Sequence, residues 1–222
     1  QGIMQRERFE TARRALSAGM FAALYMCEGT SDPSLLVEYG AVSDLWTNAS
    51  VPEGKPYLTC DIALQGSDLF VIGRWSGFRI KEIETFSKRQ PQEVVDIIKG
   101  KATAYQVPRS HIGYDADGLG AYLKGYLQGA VPYHGGSSMV PQMGHKMAYQ
   151  NMRSQTYFLT ADAINARTIA IDTDVDRELI HEEVLACLRT SGQDASGRWG
   201  IFPKDHPTEG SKARIGRSPD RF

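Results

Sequence analysis

No stretch of this chain is apolar for long enough to cross a bilayer: runs such as residues 20–26 fall far short of the roughly 20 residues a membrane helix needs. Residues 1–10 are charged and polar, so no signal-peptide pattern reads there. Cysteine is scarce. Cys27, Cys60 and Cys187 are odd in number and have no CxxC spacing, which disfavours a disulfide framework and a zinc site. They read as small buried hydrophobes in a reducing, intracellular setting. An excess of basic charge is also missing, with 25 basic and 26 acidic residues and a net charge of −1. That balance argues against tight, free-standing binding to nucleic acid. It does not argue against catalysis on a polyanion held by a larger assembly. No Gly-x-x-x-x-Gly-Lys-Ser/Thr loop occurs, which removes the usual nucleotide-hydrolysing motor. There are no internal repeats.

What remains is an ordinary domain composition, 222 residues of which 41% are hydrophobic and 23% charged. Residues 8–26 place Phe9, Ala12, Leu16, Met20 and Leu24 at helical spacing. Residues 29–55 are broken by Gly, Pro, Ser and Asn and read as a connecting segment, so the domain division expected is 1–55 and 56–222. From Pro56 the pattern changes. Residues 57–64, 69–75 and 78–86 read as three strands, the last two joined at Ser76-Gly77, which makes an antiparallel meander. Pro91 opens a helix through residue 101. Then follow a short strand at 111–114, a helix at 121–128, a strand at 130–133 and a longer helix at 148–164. A brief strand at 168–171 and a helix capped by Asp174 and running to about 189 complete the pattern. The expected fold class is α/β, a mixed sheet with helices on both faces.

The chemistry is carried by aspartates. In the strand Tyr57-Leu58-Thr59-Cys60-Asp61-Ile62, alternate residues share a face, so Asp61 lies on the more polar side near the strand end. A carboxylate there needs either a cation or hydrogen-bond donors. Ile112-Gly113-Tyr114-Asp115 is an apolar strand ending in Asp, followed by Gly118 and Gly120, which let the chain turn into a helix. Residues just past strand C-termini line the functional crevice of α/β sheets, so Asp115 joins Asp61 if the two strands are neighbours. Asp117 reads as a helix cap. Carboxylates converging without a His or Cys cluster select a hard, oxygen-preferring divalent cation. Phosphodiester hydrolysis is the reaction such a site serves best, through an activated water and a stabilised leaving oxygen. His134 and His145 flank a loop where a His could protonate a leaving group, and Lys124, His145, Lys146 and Arg153 could contact phosphates, but each read singly is a solvated side chain.

Taken in order, these motifs resemble the C-terminal nuclease domain of the large terminase subunit of tailed bacteriophages, a ribonuclease H-like family. The matching pieces are Asp61 to Asp68, the strand ending at Trp75 and Gly77, Asp115-x-x-Gly118-x-Gly120, a helix bearing Asn151, Arg153 and Tyr157, and Gly216-x-Ser218-Pro219-Asp220. The resemblance implies Asp61, Asp115 and Asp220 as catalytic metal ligands for two Mg²⁺ or Mn²⁺ ions; Asp68 matches a family position too, but reads here as a turn residue. It further implies an endonuclease that cuts concatemeric viral DNA during packaging in the host bacterial cytoplasm. Implied partners are double-stranded DNA and, in the intact motor, the small terminase subunit and the portal; no membrane is involved, and the isolated domain would be a monomer. The residues before Pro56 then read as the tail of, or hinge to, a separate ATPase motor. Two alternatives stay open: a non-catalytic docking module of the packaging motor, and a fragment of an actin-like ATPase.

Overall fold

The computed structural model describes residues 10, 33–62, 69–87, 89–141 and 148–219. Three antiparallel-linked strands form its centre: β1 (Pro56–Asp61), β2 (Phe70–Ser76) and β3 (Arg79–Phe86). Helix α1 (Tyr39–Asp44) precedes them and α2 (Pro91–Ala104) follows. Next come β4 (Ile112–Asp115), a tight 3-10 turn (Gly118–Tyr122), α3 (Leu123–Tyr126) and β5 (Val131–Tyr133). The chain continues through α4 (Met152–Asn165), β6 (Ala170–Ile171), α5 (Arg177–Ala186) and α6 (Ser211–Ile215).

The six strands form one mixed sheet in the order β5-β4-β1-β2-β3-β6. The meander β1-β2-β3 is antiparallel, whereas β4 joins β1, β5 joins β4 and β6 joins β3 in parallel. This is the expected α/β architecture. The turn at Ser76-Gly77 is as read, with Gly77 at a φ of +60° that suits glycine.

Alternation along the strands creates two cores. Leu58, Cys60, Phe70, Ile72, Ile112 and Tyr114 face α2 and α3, where Val94, Val95, Ile98 and Leu123 are buried against them. On the opposite face, Val71, Ile83 and Ile171 meet the helices α1, α4 and α5 through Val42, Ala161, Ile164 and Val184. Helix α2 begins as expected, with Pro91 in its first turn and a capping box between Gln90 and Glu93.

Three local readings change. The described part of the segment expected to be a connector packs into the second core, because Leu36, Val37, Ala41, Val42 and Leu45 are buried there. Helix α4 starts at Met152 rather than 148, since the Asn151 side chain accepts the Ser154 amide and caps it. Helix α5 is not capped by Asp174. Asp176, in the left-handed region at φ +55°, turns the chain into it, and Asp174 contributes a backbone carbonyl to the Arg177 amide instead. Among the described residues no helix is long and apolar enough to cross a membrane. Of the expected helix at 8–26 only residue 10 is among the described residues, and the Asp68 turn lies outside them.

Candidate functional site

Cys60 of β1 registers with Tyr114 of β4 in a parallel ladder. Asp61 and Asp115 occupy the next position on each strand. Parallel neighbours lie roughly 5 Å apart, and residues in register share a face. Both carboxylates therefore stand at the C-terminal edge of the sheet, on the face that carries α4 and α5, with Asp61 exposed and Asp115 half-buried. The strands' apolar residues fix this placement: Leu58, Cys60, Ile112 and Tyr114 are buried on the far side, which turns the aspartates the other way.

The loop after β4 shows why its glycines are needed. Gly118 adopts a φ of +55°, a conformation L side chains rarely take. A Cβ on Gly120 would overlap the Asp115 carbonyl oxygen and lie 2.8 Å from the carbonyl carbon. The loop thus folds back on Asp115 itself. The Asp117 amide donates to the Asp115 carboxylate at 3.0 Å, fixing one of its oxygens.

Asp117 stands at the expected cap position, just before the 3-10 turn, but its side chain makes no cap bond. One carboxylate oxygen lies 2.9 Å from His134 Nδ1, and the other accepts the Gly135 amide at 2.9 Å. The His134 ring holds the Asp117 carboxyl below the usual carboxylate range, and the Gly135 amide and the charge of Arg153 act in the same direction. The ends of β4 and β5 are further joined by the Ala116 amide, which donates to Tyr133 O at 2.9 Å. Gly135 O accepts the Arg153 amide, and Ser137 O accepts that of Met152, so the loop after β5 is sewn to the start of α4.

Tyr133 and Tyr157 line the same region. Burial raises the Tyr133 hydroxyl above the ordinary phenol range, a shift to which the charges of Asp115 and Asp117 add. Tyr157 is raised well above it by burial first, with Asp61 a smaller contributor. On the neighbouring strand the Trp75 Nε1 donates to Thr59 Oγ1 at 2.9 Å, directly over Gly73. Cys60 and Cys187 are buried as expected, and burial pushes both thiols up to about 12, which makes them inert as nucleophiles.

Asp220 lies outside the described residues. The chain leading to it is well held: Arg217 pairs with Glu182 at 3.1 Å and with Glu183, whose side chain is fully buried in α5. Among the described residues no group of three or more His, Cys, Asp or Glu side chains could hold a metal ion. The described carboxylates at the strand ends are therefore a pair, with Asp117 turned away to His134. Their donors are oxygen alone, the set a hard divalent cation prefers.

Sequence reasoning missed the Asp117–His134–Gly135–Arg153 assembly. The only local signals were an Asp two residues after Asp115 and the pair Gly135-Gly136 after a short strand.

No protein-family model and no curated protein matches the chain. Solved structures do. The nuclease domain of the large terminase subunit gp2 of bacterial virus Sf6 is similar over 84% of this chain and 94% of that one, with 17% identity and a TM-score of 0.69. A mutant of that domain solved with manganese gives 15% identity and a TM-score of 0.68 over the same shares. The large terminase nuclease of thermophilic phage G20c covers 85% of this chain and 99% of its own, at 11% identity and a TM-score of 0.50. The fold is that of these nuclease domains.

Proposed function

We propose that this chain is a divalent-metal-dependent endonuclease of a phage DNA-packaging motor, cleaving double-stranded DNA with Asp61, Asp115 and Asp220. The observation that carries the reading is the pair of aspartates at adjacent parallel strand ends, on a fold shared with terminase nuclease domains. A fold alone does not give a function; the site supports one. Asp61 and Asp115 would hold Mg²⁺ or Mn²⁺, with Asp220 as the third ligand. When bound, two such ions supply activation of a water and neutralisation of charge on the leaving oxygen.

The chain's own residues set the stage for that chemistry. The Asp117 amide orients the Asp115 carboxylate by holding one oxygen. The buried backs of β1 and β4 keep the two strand ends from moving apart. Two carboxylates at neighbouring strand ends gather negative charge that a divalent cation would neutralise. The portal and small subunit are the partners this reading assigns in the intact motor, which would supply the grip on DNA that a net charge of −1 does not.

The test is nicking of supercoiled plasmid. The chain should nick it with Mn²⁺ or Mg²⁺ and not with EDTA, and Asp61→Asn should abolish the activity while leaving thermal unfolding intact. Full activity in that variant would refute the reading. No cleavage by the wild type, together with tight binding to a portal ring, would favour the docking module.

A further inference from the structure

We infer that the Arg153 guanidinium is the phosphate-binding group of this site, holding a backbone phosphodiester of the substrate beside the aspartate pair. The inference rests on the nuclease reading and deepens it.

A continuous run of contacts joins Arg153 to Asp115. The Asp117 amide holds Asp115 at 3.0 Å, and the Asp117 carboxylate holds the Gly135 amide at 2.9 Å. Gly135 O in turn accepts the Arg153 amide at 2.9 Å. The guanidinium lies over Gly135: a Cβ there would stand 3.1 Å from Arg153 Nε and 3.2 Å from Nη2. The missing side chain is what lets the cation lie flat across the loop. The Ala116 amide donates to Tyr133 O at 2.9 Å, so the end of β4 that carries Asp115 and the end of β5 that leads into Gly135 are held together, with Arg153 packed on Gly135.

The amides at the start of α4 cannot do this work. Met152 N donates to Ser137 O, Arg153 N to Gly135 O, Ser154 N to Asn151 Oδ1 and Gln155 N to Asn151 O. All four are used internally, so an anion arriving at this helix end meets the guanidinium. Arg153 is exposed, and the Asp117 carboxylate of the same loop assembly is engaged by His134 and Gly135. A planar guanidinium left open beside metal-binding carboxylates matches a phosphodiester, which it can hold through two parallel hydrogen bonds.

Three variants and a control test this: Arg153→Ala, Arg153→Lys, Gly135→Ala and, on the opposite face of the sheet, Lys99→Ala. Binding of a fluorescent 20-bp duplex is followed by anisotropy in Ca²⁺ across a salt series, and plasmid nicking is measured in Mn²⁺. Arg153→Ala should lower the salt slope of log K by about one and cut kcat/KM at least about tenfold. Arg153→Lys should keep the slope and recover only part of the rate, because an ammonium holds a phosphate as a point charge. Gly135→Ala, whose new methyl displaces a flexible side chain, should fold normally and lose activity in the same direction. Lys99→Ala should match wild type in both readouts. A wild-type slope and rate in Arg153→Ala, or an equal loss in Lys99→Ala, overturns the inference. Should the wild type itself fail to nick while Arg153→Ala still loses its unit of slope, the nuclease reading falls and the phosphate site stands.

Discussion

Gly120→Ala is the substitution in which the fold and the site are hardest to separate. The added methyl would overlap the Asp115 carbonyl oxygen and stand 2.8 Å from the carbonyl carbon, where ordinary contact begins near 3.4 Å. What stands in the way is backbone at a strand end, not the tip of a flexible side chain. Either the 3-10 turn or Asp115 must therefore move by about 1 Å or more. Forcing extra atoms into packed structure costs about 1–3 kcal/mol, and a clash with backbone belongs at the upper end, about 3 kcal/mol. For a chain of this size that corresponds to a fall in Tm of roughly 6–12 °C. Activity should fall further than stability explains, because the displaced group carries the carboxylate: a 1 Å misplacement costs about a hundredfold. Gly118→Ala is the matched comparison. It strains φ without meeting any atom within 4 Å, so it should cost only about 1 kcal/mol and leave nicking within a few-fold of wild type. Calorimetry and plasmid nicking on the folded variants, well below their Tm, make the check. A Gly120→Ala protein that melts with the wild type and cuts at its rate refutes the reasoning.

Other expectations follow from the surrounding structure. Arg217→Ala removes a charge partner of the fully buried Glu183 and should destabilise the domain by about 3 kcal/mol, read by urea unfolding; a change below about 0.5 kcal/mol would contradict the clamp. Asp172 is held at about 2, below its ordinary value, first by Arg79 and also by Lys81. Its folded pKa is depressed, so its contribution is present above the unfolded value near 4 and is lost as pH falls toward 2. Asp172→Asn should flatten the stability profile in that window and leave its slope above pH 5 unchanged; an unaltered acid limb in calorimetry would contradict it.

Much of the scaffold was legible because it follows from alternation and turn chemistry. Leu58, Cys60 and Ile62 against Thr59 and Asp61 fix the inward face of β1, and Gly118 and Gly120 mark the loop that follows Asp115. The parallel pairing that makes Asp61 and Asp115 neighbours was only a condition in the sequence, since strand order is a long-range property; the register of Cys60 with Tyr114 supplies it. Helix α1 was hidden because its buried residues sit in a stretch rich in Gly, Pro and Ser, and tertiary packing overrides that local signal. Asp117 misled for the same kind of reason. A cap is a local option visible within four residues, whereas its partners His134 and Gly135 come from the next strand end. Arg153 read alone was a solvated cation with phosphate contact as one option among four basic side chains; the glycine beneath it is what singles it out.

A crystal soaked in Mn²⁺ tests the aspartate pair as a cation site most directly. Anomalous density between the carboxylates of Asp61 and Asp115, with oxygens at about 2.1–2.4 Å and lost in Asp115→Asn, is the predicted result. Density absent there at saturating Mn²⁺, in crystals where both side chains are ordered, would contradict it.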